Sequence, residues 1–104
     1  MDCIFCKIIK KEAPADIIFE NEHAVAFYDI NPSAQVHILI IPKKHIESVK
    51  ELEEKDKELM GELLLAAKKV AEAKELKHYR LRINVGRGAG QIVDHIHIHL
   101  LSDK

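Results

Sequence analysis

The chain has little cysteine: Cys3 and Cys6 are the only two among 104 residues. A pair so close together cannot staple a fold, which excludes a secreted disulfide scaffold. A long apolar run is missing as well. The longest, Val36 to Ile41, is interrupted by His37 and falls far short of the ~20 residues that cross a bilayer. Met1-Asp2-Cys3 offers no basic n-region, so no signal peptide is expected and the expected address is cytoplasmic. Charge of one sign is also lacking: 16 basic residues stand against 17 acidic ones, a net of −1. That balance excludes a broad electrostatic footprint for nucleic acid but not a small phosphate ligand. Internal repeats, low-complexity tracts and linkers are absent.

What remains is 47% hydrophobic and 32% charged, the composition of one small packed domain over residues 1–104. A lone domain of this size buries only about two-thirds of its unfolded surface, so a metal or a dimer partner would help it. Histidine is the surplus: there are seven, three of them within five positions near the C-terminus.

Residues 3–10 read as a short helix, with Ile4/Ile8 and Phe5/Ile9 at i, i+4 spacing, stopped before Pro14. Two strand-like runs follow, Asp16–Phe19 and Ala24–Tyr28, joined by a polar turn. After the turn Asn31-Pro32-Ser33 comes Gln35–Ile41, apolar on both faces and closed by Pro42, as a central strand is. Lys50–Leu76 reads as the one long helix, with apolar rows Leu59, Leu63, Ala66, Val70 and Met60, Leu64, Ala67, Ala71. Tyr79–Val85 alternates, with Tyr79, Leu81, Ile83 and Val85 on one face. The loop Gly86-Arg87-Gly88-Ala89-Gly90-Gln91 then leads into a last strand, Val93–Leu101. Hairpin spacing with one long helix indicates an α+β fold: an antiparallel sheet of about five strands with one long and one short helix.

His95-Ile96-His97-Ile98-His99-Leu100 carries the most information. On a strand the three imidazoles share one face, and Ile96, Ile98 and Leu100 point into a core. Adjacent histidines then sit about 7 Å apart and the outer two about 13 Å. Three so spaced cannot share one zinc, although two adjacent ones could. A solvated sheet face accounts for one histidine, not a row. Imidazole is a nucleophile and a proton carrier near neutral pH, and loop N–H groups can bind an anion. Because the glycine loop precedes a strand, it is no dinucleotide fingerprint. A phosphate seated there would meet the histidines, a geometry for phosphoryl or nucleotidyl transfer with no magnesium clamp in view.

From Gly90 to Leu101 the chain resembles the signature of the histidine triad (HIT) family, His-x-His-x-His followed by apolar residues. The resemblance extends to Cys3–Ile9, Pro14-Ala15, Ala26–Pro32, His37, Ile41–Ile46 and Asn84-x-Gly86, and it is closest to the Hint branch of purine nucleoside phosphoramidases. It implies the following roles. His97 attacks the α-phosphorus of a nucleoside 5′-phosphoramidate and becomes nucleotidylated. His99 and His37 contact the phosphate, while the His95 carbonyl holds the His97 ring. Asp29 and Ile30 take the ribose and base end, Phe5, Ile8 and Phe27 form apolar walls, and Asn84, Gly90, Gln91, Ile92 and Val93 cradle the phosphate. Water releases the nucleoside monophosphate, with no Mg2+ required. The ligand would be an AMP- or GMP-like purine nucleotide, the assembly a homodimer, and neither nucleic acid nor membrane a partner. Read without the resemblance, Asp29 is equally an Asx-turn residue, Asn84 a strand-end cap and Gln91 a loop surface residue. His23 and His78 read as surface residues.

Two departures stand out. The Hint branch usually carries Ser or Thr at the position of Ile92, and isoleucine has no proton to donate. The chain ends at Lys104, where relatives continue with a tail that shapes substrate access. A nucleotide-binding module with little turnover is therefore the alternative function, with dinucleoside polyphosphate hydrolysis another. Cys3-x-x-Cys6 is open to three readings: a redox pair, two inert thiols, or half of a zinc site. Resemblance to bacterial and archaeal HIT proteins implies structural Zn2+ on Cys3, Cys6, His45 and His95; alone, His45 reads as a surface residue.

Overall fold

A computed structural model describes residues 3–103 of the chain. Met1 and Asp2, read above for a leader, and the terminal Lys104 lie outside that range. The elements are α1 (Ile4–Ile9), β1 (Ile17–Glu20), β2 (Ala24–Tyr28), β3 (Val36–Pro42), α2 (Lys57–Ala73), β4 (Arg80–Arg82) and β5 (Ile98–Ser102). Five strands form one sheet in the order β1-β2-β3-β5-β4, every neighbouring pair antiparallel. The α+β architecture is therefore as the hairpin spacing predicts.

The sheet buries both faces, which is why β3 is apolar without alternation. One face (Ala24, Ala26, Ile38, Ile40, Ile98, Leu100) packs on Leu63, Ala66, Ala67, Val70 and Ala71 of α2. The other (Val25, Phe27, Leu39, Ile41) packs on Cys3, Phe5 and Ile8 around α1. Small residues on α2 let it lie close to the sheet, while α1 stands over the opposite face. Ile96, Ile98 and Leu100 are all buried, as expected of the face opposite the histidines.

Three elements differ from the sequence reading by more than a residue at one end or both. The long helix spans Lys57–Ala73 rather than Lys50–Leu76. Two short 3-10 turns, Val49–Glu51 and Glu54–Asp56, precede it, and extended backbone at Leu52 and Glu53 separates them. Asp56 sets the start: it is buried, accepts the Glu53 N–H at 3.0 Å and takes the Lys44 ammonium at 2.8 Å. The end is set by Glu75, left-handed at φ 58°, after which the Leu76 N–H returns to the Ala71 carbonyl. Leu64, placed on an apolar row, is exposed.

The Tyr79–Val85 strand shortens to Arg80–Arg82, and two residues of its apolar face, Tyr79 and Leu81, are exposed. The last strand starts at Ile98, not Val93. Continuing its register would set Ile96 opposite Pro42, which has no N–H to offer, and the Pro42 carbonyl is taken by the His95 ring at 2.9 Å. The ladder stops there, and His95 turns away from the row.

Candidate functional site

His97 and His99 do face one way, into a cavity of about 420 Å3. Its walls include Phe5 and Ile8 of α1, Phe27 of β2, and Asp29 and Ile30 after β2, with Ile92 and Val93 at the end of the glycine loop. Most residues expected to form a nucleotide site thus share one space. Ile4, Pro14, Ala15, Tyr28, Asn31 and Leu39 complete the lining. Leu39 could have been expected, since it shares the β3 face of His37 and Ile41 at period 2.

Each imidazole has its tautomer set by a neighbour. His97 Nδ1–H donates to the His95 carbonyl at 2.7 Å, leaving the Nε2 lone pair free. The Ser33 N–H donates to His37 Nδ1 at 3.0 Å, so the His37 proton sits on Nε2. That proton goes to His99 Nδ1 at 2.9 Å, with the Asp29 Oδ2 atom 3.4 Å from the same His37 nitrogen. His99 must then carry its own proton on Nε2, a buried atom without a partner among the described residues. The site therefore presents a lone pair on His97 beside an N–H on His99, which suits attack on phosphorus and a hydrogen bond to phosphate oxygen.

Burial keeps these rings neutral. It is the main cause that lowers the pKa of His97 and His37, the latter against the raising influence of Asp29. His99 is pushed down to about 4 by burial and by the charges of His97, Arg82 and His37. A group depressed in the folded state contributes stability that is complete above its unfolded pKa of about 6.5 and is lost as pH falls through the folded value. His99 alone should therefore cost on the order of 3 kcal/mol of unfolding free energy between about pH 6.5 and 4. Urea titrations across that window should show a flatter pH dependence for His99→Gln.

Asp29 serves two purposes at once. Its Oδ1 accepts the Asn31 N–H at 2.8 Å, the Asx turn anticipated as one reading, while Oδ2 approaches His37. Asn84, Gly90 and Gln91 stand behind the cavity rather than in its lining. Gln91 is only 2% exposed, so it is no loop surface residue. Its amide donates to the Glu47 and Val93 carbonyls and accepts the Gly86 N–H at 2.9 Å. Asn84 Nδ2 meets the Gly90 carbonyl at 3.4 Å, and Gly90 is left-handed at φ 96° with Asn84 Nδ2 where a Cβ would press. The loop's own turn consumes the N–H groups of Ala89, Gly90 and Gln91. Those of Ile92 and Val93 take no part in it, and these two residues line the cavity. The residues of this loop that line the cavity thus lie one step beyond the glycines.

His95 belongs to a second cluster. Its Nδ1 lies 3.4 Å from Cys3 Sγ, 3.7 Å from Cys6 Sγ and 3.1 Å from His45 Nδ1, and Cys6 Sγ lies 3.2 Å from His45 Nδ1. Four ligand atoms tetrahedrally placed about 2.0–2.3 Å from a zinc ion are themselves about 3.3–3.8 Å apart. Donation of the His95 Nε2–H to Pro42 leaves Nδ1 as the free lone pair, the usual outer contact of a ligating histidine. Two thiols and two imidazoles so arranged could hold a metal ion. Cys6 carries a thiol pKa raised by burial and by Cys3, a disfavoured thiolate that a cation would stabilise. His45 is therefore no isolated surface residue. His23 is half-exposed beside Glu22, and His78 is exposed, its carbonyl accepting the Ser102 hydroxyl.

Among the described residues, no helix is long and apolar enough to cross a membrane. The family model described as scavenger mRNA decapping enzyme C-term binding matches residues 2–104. The chain is 42% identical over 101 residues to Protein HitA of Neisseria gonorrhoeae, covering 96% of this chain and 94% of that one. Its fold is similar to the HIT family hydrolase from Legionella pneumophila Philadelphia 1, with a TM-score of 0.95 and 48% identity over 99% and 94% of the two chains. It is also similar to the histidine triad nucleotide-binding protein from Candida albicans, with a TM-score of 0.85 and 36% identity over 95% of this chain and 73% of that one. With three histidines in alternation at the mouth of β5, a matching fold and relatives of this identity, the chain belongs to the HIT family.

Proposed function

We propose that the protein hydrolyses purine nucleoside 5′-phosphoramidates through a nucleotidyl-histidine intermediate. One observation carries the reading: the free Nε2 lone pair of His97 and the Nε2–H of His99, unpartnered among the described residues, share one largely apolar cavity with a carboxylate, Asp29. The purine fits between Phe5, Ile8 and Phe27, the ribose hydroxyls reach Asp29, and Ile30 covers the base. The phosphate meets His99 and the Ile92 and Val93 amides. His97 Nε2 attacks phosphorus, the P–N bond breaks, and the nitrogen leaves as an amine with a proton from solvent. Water then attacks the same phosphorus, the N–P bond to His97 breaks, and the nucleoside monophosphate departs. His37 and Asp29 keep His99 oriented, and Gln91, Asn84 and Gly90 hold the loop. Similarity to a HIT family hydrolase of Legionella and to a histidine triad nucleotide-binding protein of Candida supports both halves of the reading.

An adenosine 5′-phosphoramidate with a fluorescent amine tests it directly. Release of amine with stoichiometric AMP is expected; AMP binding without release would leave a nucleotide-binding module, which the protonless side chain of Ile92 favours as the second reading. Failure to bind AMP sinks the site.

Cys3, Cys6, His45 and His95 would hold Zn2+, which pins α1 to the sheet, a structural task in a reducing cytosol. A homodimer is the proposed assembly. It would cover Leu64 and Leu65 of α2 and Tyr79 and Leu81 around the edge strand β4, all exposed in the single chain. Sedimentation should give twice the 11.9 kDa of one chain, and a monomer at micromolar concentration overturns it.

A further inference from the structure

The two clusters are not independent, and the connection runs through two residues. His95 offers its ring to the cysteine cluster and its carbonyl to His97 Nδ1 at 2.7 Å. Phe5 sits between Cys3 and Cys6 in the sequence, one residue from Cys6. Its ring makes T-shaped contacts with three others, with centroids 5.2 Å from His97, 5.5 Å from Phe27 and 5.7 Å from His95. Phe5 and Ile8 of α1 are walls of the cavity that His97 enters.

A helix of six residues has almost no stability of its own. The contacts that fix α1 are the Cys3 and Cys6 side chains on His95 and His45 together with the packing of Phe5 and Ile8. Whatever holds the two sulfurs therefore holds one wall of the cavity, and whatever holds the His95 ring holds the carbonyl that orients His97.

We propose that a cation held by Cys3, Cys6, His45 and His95 positions the His97 ring and the Phe5 wall, so that metal and nucleotide bind with positive coupling. Here Phe5 and His95 are positioning residues for the phosphoryl site. The inference rests on the nucleotide reading above and extends it: the metal is an effector of that site, beyond its service to the fold. Coupling is reciprocal, so a metal that improves nucleotide affinity must itself be held more tightly when nucleotide is present.

Zn2+ affinity measured at equilibrium against a chromophoric chelator, with and without saturating AMP, reads the coupling without any turnover. AMP should tighten Zn2+ by about tenfold, within the usual range of linked sites. The same factor should separate the AMP affinities of loaded and stripped protein by calorimetry. Equal Zn2+ affinity with and without AMP, in a protein that binds AMP, overturns the coupling and leaves the nucleotide reading standing. No AMP binding by the Zn2+-loaded protein overturns both.

If the stripped chain loses its fold, the Co2+-loaded protein supplies a second reading. AMP should shift the thiolate–cobalt absorption bands, and an unchanged spectrum at saturating AMP overturns the proposal. Phe5→Leu keeps an apolar wall but removes the ring that touches both histidines. It should reduce the tenfold factor to about twofold, and an undiminished factor removes Phe5 from the link.

Discussion

His97→Ala should lower amine release from an adenosine phosphoramidate by ~10⁴-fold or more, the scale of losing a covalent nucleophile. Nucleotide affinity should change far less, because the apolar walls and the His99 N–H do not depend on the His97 ring for their chemistry. The ring is buried, so its removal leaves a void against Phe5. His97→Gln fills more of that space and should show the same loss of turnover with less loss of stability. Rapid mixing of the parent with substrate should accumulate a species heavier by the nucleotidyl group when the second step is slow. A chain that keeps turnover with alanine at 97 would transfer the nucleotide directly to water, and the intermediate would be wrong.

The physics behind this site was legible in part. Period-2 alternation placed His97 and His99 on the side opposite the buried Ile96, Ile98 and Leu100. Pro42 correctly closed β3. Hidden from local pattern were the features decided by distant partners. The start of α2 depends on Asp56 finding Lys44, and nothing in the Lys50–Leu76 periodicity reports that pair. His95 leaves the histidine row because Pro42 offers a carbonyl and no N–H, a consequence of register rather than spacing. Gln91 reads as polar loop sequence, yet three backbone groups bury it. The tautomer chain from Ser33 through His37 to His99 joins segments 62 positions apart, so only the fold reveals which nitrogen carries the proton.

Ile92→Ser should raise turnover by about 10²-fold, the lower end of what general acid–base assistance supplies. Ile92 lines the same cavity as His97 and His99 and is 75% exposed, so its side chain is neither packed nor hydrogen-bonded. Exchange at so open a position should alter stability by no more than about 0.5 kcal/mol. What changes is chemistry. The departing nitrogen of a phosphoramidate is a poor leaving group unless a proton reaches it as the P–N bond breaks. In the proposed cycle that proton comes from solvent; a serine hydroxyl at 92 would stand among the groups proposed to meet the phosphate. The gain should therefore fall on kcat, with AMP affinity nearly unchanged, and should grow with the basicity of the amine. Ile92→Val is the control, since it trims the side chain without adding a donor and should give no gain. Equal rates for the serine and valine variants would show that the nitrogen already receives its proton elsewhere. The substitution would then tune access to the cavity, and the parent's slow step would lie after P–N cleavage.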